Sequence, residues 1–222
     1  MAAQQITISL SNDTIQALQG QGYALYVMQK FNTSTVGKAL VWQAESAFAN
    51  EMTIDLDIQY AAYMSNPVVS DTVIVTSTAS APVELGQTAT LGENSDVAVT
   101  TAGRADAVTL VNGLTQLFTT GLAARAGAGP IPLVSAPLYG LGAAIVAPLD
   151  QFLLTFNAQG IAPGMPIDYA VSQSLLVDMS RQATATASYD INTGWSAEGP
   201  WAQLVKAGTP LGPLLAHQMP ML

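Results

Sequence analysis

Between residues 51 and 60, Met52, Ile54, Leu56, Ile58 and Tyr60 alternate with Glu51, Thr53, Asp55, Asp57 and Gln59 over five full repeats. A period of two places the sets on opposite faces of an extended chain, so the segment predicts a strand with one buried and one wet face. Ile6, Ile8 and Leu10 alternate with Thr7 and Ser9 in the same way. Ser11-Asn12-Asp13 then supplies cap side chains for a short helix around Ile15 and Leu18, ended near Gly20 and Gly22. The chain therefore opens as strand, helical turn, strand.

Further β-branched or aromatic runs lie at 23–31, 39–45, 72–78, 83–90, 96–101, 106–111, 116–123, 151–156, 167–177 and 183–191. Asn66-Pro67, Gly92-Glu93-Asn94, Asn112-Gly113, Gly160 to Gly164 and Asn192-Thr193-Gly194 punctuate them with turn chemistry. Periodic segments free of Gly and Pro are too short for a helix-rich fold. The expectation is an all-β fold: a single-domain antiparallel β-sandwich of about ten strands over 1–207, followed by an apolar extended tail over 208–222.

Residues 126–149 stand apart, because they hold no charged side chain and contain Pro130, Pro132, Pro137 and Pro148 together with Gly127, Gly129, Gly140 and Gly142. A transmembrane helix would lose backbone hydrogen bonds at each of these residues, so the segment is expected to be a long loop packed on the domain or on a neighbour. Apolar loops and tails mark contact sites. The candidate self-association residues are thus Pro130, Ile131, Leu133, Leu138 and Tyr139 in the loop, with Leu211, Leu214, Leu215, Met219, Met221 and Leu222 in the tail.

Charge sharpens that expectation. Only 15 acidic and 6 basic residues occur in 222, giving a net charge of −9. Phosphate binding draws on Lys and Arg, so nucleic acid is not an expected partner. Eight acids and no base lie between Lys38 and Arg104, an acidic solvated face. Lysines also keep strand edges from pairing with other chains, and here there are three. The edges must be closed, covered, or occupied by other subunits. With no cysteine, disulfides and thiolate chemistry drop out. The N-terminus lacks the basic and apolar regions of a signal peptide, which predicts a cytoplasmic chain or export by a non-classical route.

Catalytic chemistry finds little purchase. His217, the single histidine, lies in the tail, and no Gly-x-Ser-x-Gly, His-Glu-x-x-His or phosphate-binding glycine loop is present. Gly140-Leu141-Gly142 reads as an apolar turn. Asp55 and Asp57 share a strand face and could hold a cation or act as an acid and base pair, but alternation alone explains them as a solvated surface. Asp190-Ile191-Asn192-Thr193-Gly194 begins like a calcium loop, yet its twelfth position is Trp201, where a bidentate Glu belongs; a hairpin turn is the simpler reading. Tyr189, Trp195 and Trp201 are a candidate ligand platform for a sugar or lipid headgroup, against ordinary core packing. No catalytic, cofactor or metal site is assigned.

The expected function is that of a non-enzymatic structural protein associating with copies of itself, as a homo-oligomer or filament, through strand edges, the 126–149 loop and the tail. A membrane-binding or pore-forming sandwich and a lectin-like module that binds glycan are the alternatives.

Overall fold

The computed structural model describes residues 4–65, 74–93, 96–126, 129–158 and 160–219. The first alternation forms β1 (Gln5–Leu10), and Ser11 caps α1 (Asn12–Gly20) by accepting a hydrogen bond from the Thr14 N–H. Gly22 leaves the helix at φ 67°, a conformation open to a residue without a Cβ. β2 (Tyr23–Thr33), β3 (Lys38–Ala39) and β4 (Val41–Glu45) follow.

The 51–60 repeat is divided between β5 (Glu51–Asp55) and β6 (Tyr60–Ser65), which join different sheets. Burial still alternates across the break, with Ile54 and Leu56 buried and Thr53, Asp55, Asp57 and Gln59 exposed. Period-two burial reports an extended chain with two faces, and is blind to a change of partner strand.

β7 (Ala79–Pro82) falls between two expected runs, while β8 (Thr88–Leu91), β9 (Val97–Thr100), β10 (Val108–Asn112) and β11 (Phe118–Ala126) fall within or beside theirs. The Asn66-Pro67 turn, Asn94 and part of the 72–78 run lie outside the described residues.

The expected long loop at 126–149 is instead sheet: β12 (Gly129–Pro132), β13 (Val134–Leu138) and the start of β14 (Ala143–Ala158). Its prolines stand where a strand has an open side and the missing N–H breaks no ladder. β12, with Pro130 and Pro132, pairs only with β11. β3 pairs with Val134 and Ser135, leaving Pro137 with β11 alone. Pro148 sits at the irregularity where β14 passes from β10 to its later partner.

The rest is β15 (Ser174–Asp178), β16 (Thr184–Asp190), β17 (Gly194–Ala197), β18 (Ala202–Val205), α2 (Leu211–Leu215) and β19 (Ala216–Gln218). The fold is all-β, with nineteen strands among the described residues where about ten were expected. They form a four-stranded sheet β17-β16-β1-β5, a nine-stranded sheet running β18-β15-β14-β10-β8-β9 with β2 on β14 and β4 and β19 on β2, and a six-stranded sheet β3-β13-β11-β6-β7 with β12 on β11. The pairs β1/β16, β8/β10 and β2/β19 are parallel, so the sheets are mixed rather than purely antiparallel.

One apolar cluster takes side chains from all three sheets, among them Ile8 and Trp195, Phe31 and Phe156, and Leu122 and Val134. Around β2, β14 and β15 the nine-stranded sheet is buried on both faces: Leu25 and Val27 enter that cluster, while Tyr26 and Met28 enter a second, with Leu153, Leu176, Leu211 and Leu215. The expected extended tail is therefore a helical turn and a strand folded onto its own chain. Burying Leu211 and Leu215 is worth about 3–6 kcal/mol for the pair as an upper estimate.

Candidate functional site

Strand edges are guarded unequally. β5 ends the four-stranded sheet with Glu51 and Asp55 exposed, and Gln5 donates to Asp55 at 2.9 Å. At the other end, the Trp195 N–H of β17 donates to the Gln173 side chain at 2.8 Å. β4 is covered where Val41 exchanges backbone bonds with Met165 and Gly164. β9 lies against β7. β18 has β15 on one side and, among the described residues, no strand on the other. Its four residues are uncharged, and Leu204 is 51% exposed.

The sequence candidates for self-association separate into two groups. Leu133, Leu138, Leu211 and Leu215 are buried in this chain's own clusters, Ile131 and Leu214 pack partly against them, and Pro130 is half-buried on β12. The Met219 N–H donates to the Thr33 carbonyl at 2.7 Å, holding the tail in place. Met221 and Leu222 lie outside the described residues. Of the eleven, Tyr139 is prominently exposed, at 66%.

Tyr139 belongs to a constructed tip. Asn112, buried at the end of β10, donates to the carbonyls of Gln116 at 2.7 Å and of Leu138 and Tyr139 at 3.2 Å each, and accepts from the Leu114 N–H at 2.9 Å. The Leu141 N–H donates to the Leu114 carbonyl at 2.8 Å, and Gly140 lies so close to the Thr115 backbone that no Cβ fits. Turns 113–117 and 139–142 are thereby locked together. Phe118 and Leu138 are the last register pair of β11 and β13 and point inward. One step further, alternation turns Leu117 and Tyr139 outward. Leu141 is 72% exposed and adopts φ 54°, the one non-glycine residue with positive φ among the described residues. Sequence reasoning missed Leu117, Leu141 and Leu204; for Leu117 and Leu141 the signal within reach was the run from 107 to 124 without a charge and the apolar Gly140-Leu141-Gly142 turn.

The polar candidates resolve differently. Asp55 and Asp57 are both on the wet side of the chain. Asp190 accepts from the N–H groups of Asn192 and Thr193 at 2.9 and 3.1 Å and from the Thr14 hydroxyl at 3.2 Å, closing the β16–β17 turn and docking α1. Those backbone donors hold its carboxyl below the ordinary carboxylate value. Tyr189 and Trp195 do not form a surface platform: both are buried, with rings 4.3 and 5.4 Å from Phe156, because alternation on β16 and β17 points them inward. Trp201 is half-buried, folded against Gly199, and borders a shallow groove lined by Ser9, Thr186, Ser188 and Glu198. His217 is exposed on β19. Burial pushes the Tyr60 hydroxyl up to about 12, against the opposing effect of its hydrogen bond with Gln29.

Among the described residues no group of three or more His, Asp or Glu side chains converges on a metal-sized space, and no helix is long and apolar enough to cross a membrane. Comparison of the chain with protein-family models, with curated proteins and with solved structures gives no match.

Proposed function

We propose that the chain is a structural protein that assembles with a second copy of itself through β18. The observation that carries this reading is the open, uncharged edge of β18 with Leu204 in solvent, in a molecule whose β4, β5, β9 and β17 edges are charged, capped or covered. An unpaired row of N–H and C=O groups is a template for another strand, and Lys or Pro normally blocks it. Two β18 edges meeting about a two-fold axis would continue the nine-stranded sheet across the contact.

The 126–149 segment and the tail are not the contact in this reading. Leu133, Leu138, Leu211 and Leu215 already serve the chain's own core.

Size-exclusion chromatography with light scattering tests the proposal. The wild-type chain should run at twice the chain mass, and Leu204→Lys, which places a charge on an exposed site, should run as a monomer with an unchanged circular dichroism spectrum. A monomeric wild type, or a Leu204→Lys variant that remains dimeric, would refute it.

A further inference from the structure

We infer that the locked turns 113–117 and 139–142 form a docking tip for the surface of a zwitterionic lipid bilayer. Leu117, Tyr139 and Leu141 are 46%, 66% and 72% exposed at this one end. No charged residue occurs from 107 to 124 or from 126 to 149, so the tip and the strand ends that adjoin it are neutral. Leucines beside a tyrosine suit the boundary between headgroups and acyl chains, where the phenol keeps one polar end in water.

The backbone at Leu141 points the same way. A φ of 54° is disfavoured for an L-residue with a large side chain, and Gly or Asn is the residue that fits it. Here an aliphatic side chain takes that position and faces water. Asn112 fixes the backbone of both turns through its hydrogen bonds, so the turns that carry the three side chains need no ordering on binding.

Area and charge select the occupant. A stable contact between two copies needs about 800 Å² per partner, and three side chains on two adjacent turns fall well short of that. Shallow insertion into a bilayer needs only the side chains themselves. The net charge of −9 opposes anionic leaflets, which leaves zwitterionic lipid as the matching surface.

The test is cosedimentation of the full chain with phosphatidylcholine vesicles, with and without phosphatidylserine. Wild type should bind pure phosphatidylcholine, retain binding when salt is raised, and bind less as phosphatidylserine is added. Leu141→Asn suits the left-handed backbone and keeps the fold, and should weaken partitioning by about tenfold or more, as should Tyr139→Asp. Leu204→Lys should bind vesicles like wild type, which separates this inference from assembly through β18. Absence of wild-type binding, or equal binding by Leu141→Asn, would overturn it. So would tip variants that change the light-scattering mass while leaving vesicle binding intact, because the tip would then be a contact between copies.

Discussion

Replacing Asn112 is the most informative single perturbation of the tip, because this one side chain holds four backbone groups from two turns. Asn112→Ala removes donors to Gln116, Leu138 and Tyr139 and the acceptor for Leu114. Each net hydrogen bond is worth about 1 kcal/mol, and a group left buried without a partner costs about 1–3 kcal/mol. The carbonyls of Gln116 and Tyr139 belong to exposed residues and can recover water; Leu138 is buried and its carbonyl has less recourse. The expected loss is about 3 kcal/mol. Asn112→Asp is the sharper control. It keeps the acceptor for Leu114 but sets a carboxylate against three carbonyl oxygens at a buried site, so at neutral pH it should be at least as damaging as Ala. Burial raises that new carboxyl's folded pKa, so stability should recover as the pH falls and the group is protonated. Urea unfolding followed by tryptophan fluorescence measures both variants. A loss under about 1 kcal/mol for Asn112→Ala, or an Asp variant as stable as wild type at pH 7, would refute the assignment of this network.

Three further outcomes follow from packing and titration. Gly121→Ala in β11 drives a Cβ into the Val134 carbonyl and to 3.1 Å from the Tyr63 ring, and should cost more than about 3 kcal/mol or prevent folding; a variant within about 1 kcal/mol of wild type would mean that β11 and β13 are spaced differently. Leu215→Ala should cost about 2–5 kcal/mol if the tail closes the second cluster of its own chain, and a negligible change in urea midpoint would show that it does not. Asp190 has a folded pKa below the ordinary 3.8, so its contribution is present above that value and lost as the pH falls through the depressed one. The stability gap between wild type and Asp190→Asn should therefore narrow under acid conditions below about pH 4, whereas a gap independent of pH would argue against the turn network.

What could be read from the sequence was local. The β1–α1–β2 opening rests on an alternation, a serine cap and a glycine, and the 190–194 turn on an aspartate that binds the next backbone N–H groups; both need only neighbours in the chain. The 126–149 segment forms strands although its prolines argue against them, because each faces an unpaired side, and that depends on partners as distant in the chain as Lys38. Tyr189 looked available for ligand because its inward companions on β16 are only Ala185 and Ala187, too small to announce a buried face. The locking of the tip and the β18 edge depend on distant partners. Gly140-Leu141-Gly142 announces a turn, but its locking depends on Asn112 and Thr115, and which strand ends a sheet is a property of the whole fold.

Disulfide trapping puts the proposed assembly to its most direct test, since the chain contains no cysteine and an introduced pair is the only one that can form. Gln203→Cys and Leu204→Cys, alone and together, place a thiol at the centre of β18 for each register that a two-fold antiparallel pairing allows. Assembly through β18 predicts that at least one of the three variants is captured quantitatively as a covalent dimer under mild oxidation, at a yield that does not fall on moderate dilution. Three variants that stay monomeric, beside a wild type that light scattering shows to be dimeric, would place the contact elsewhere and contradict the account.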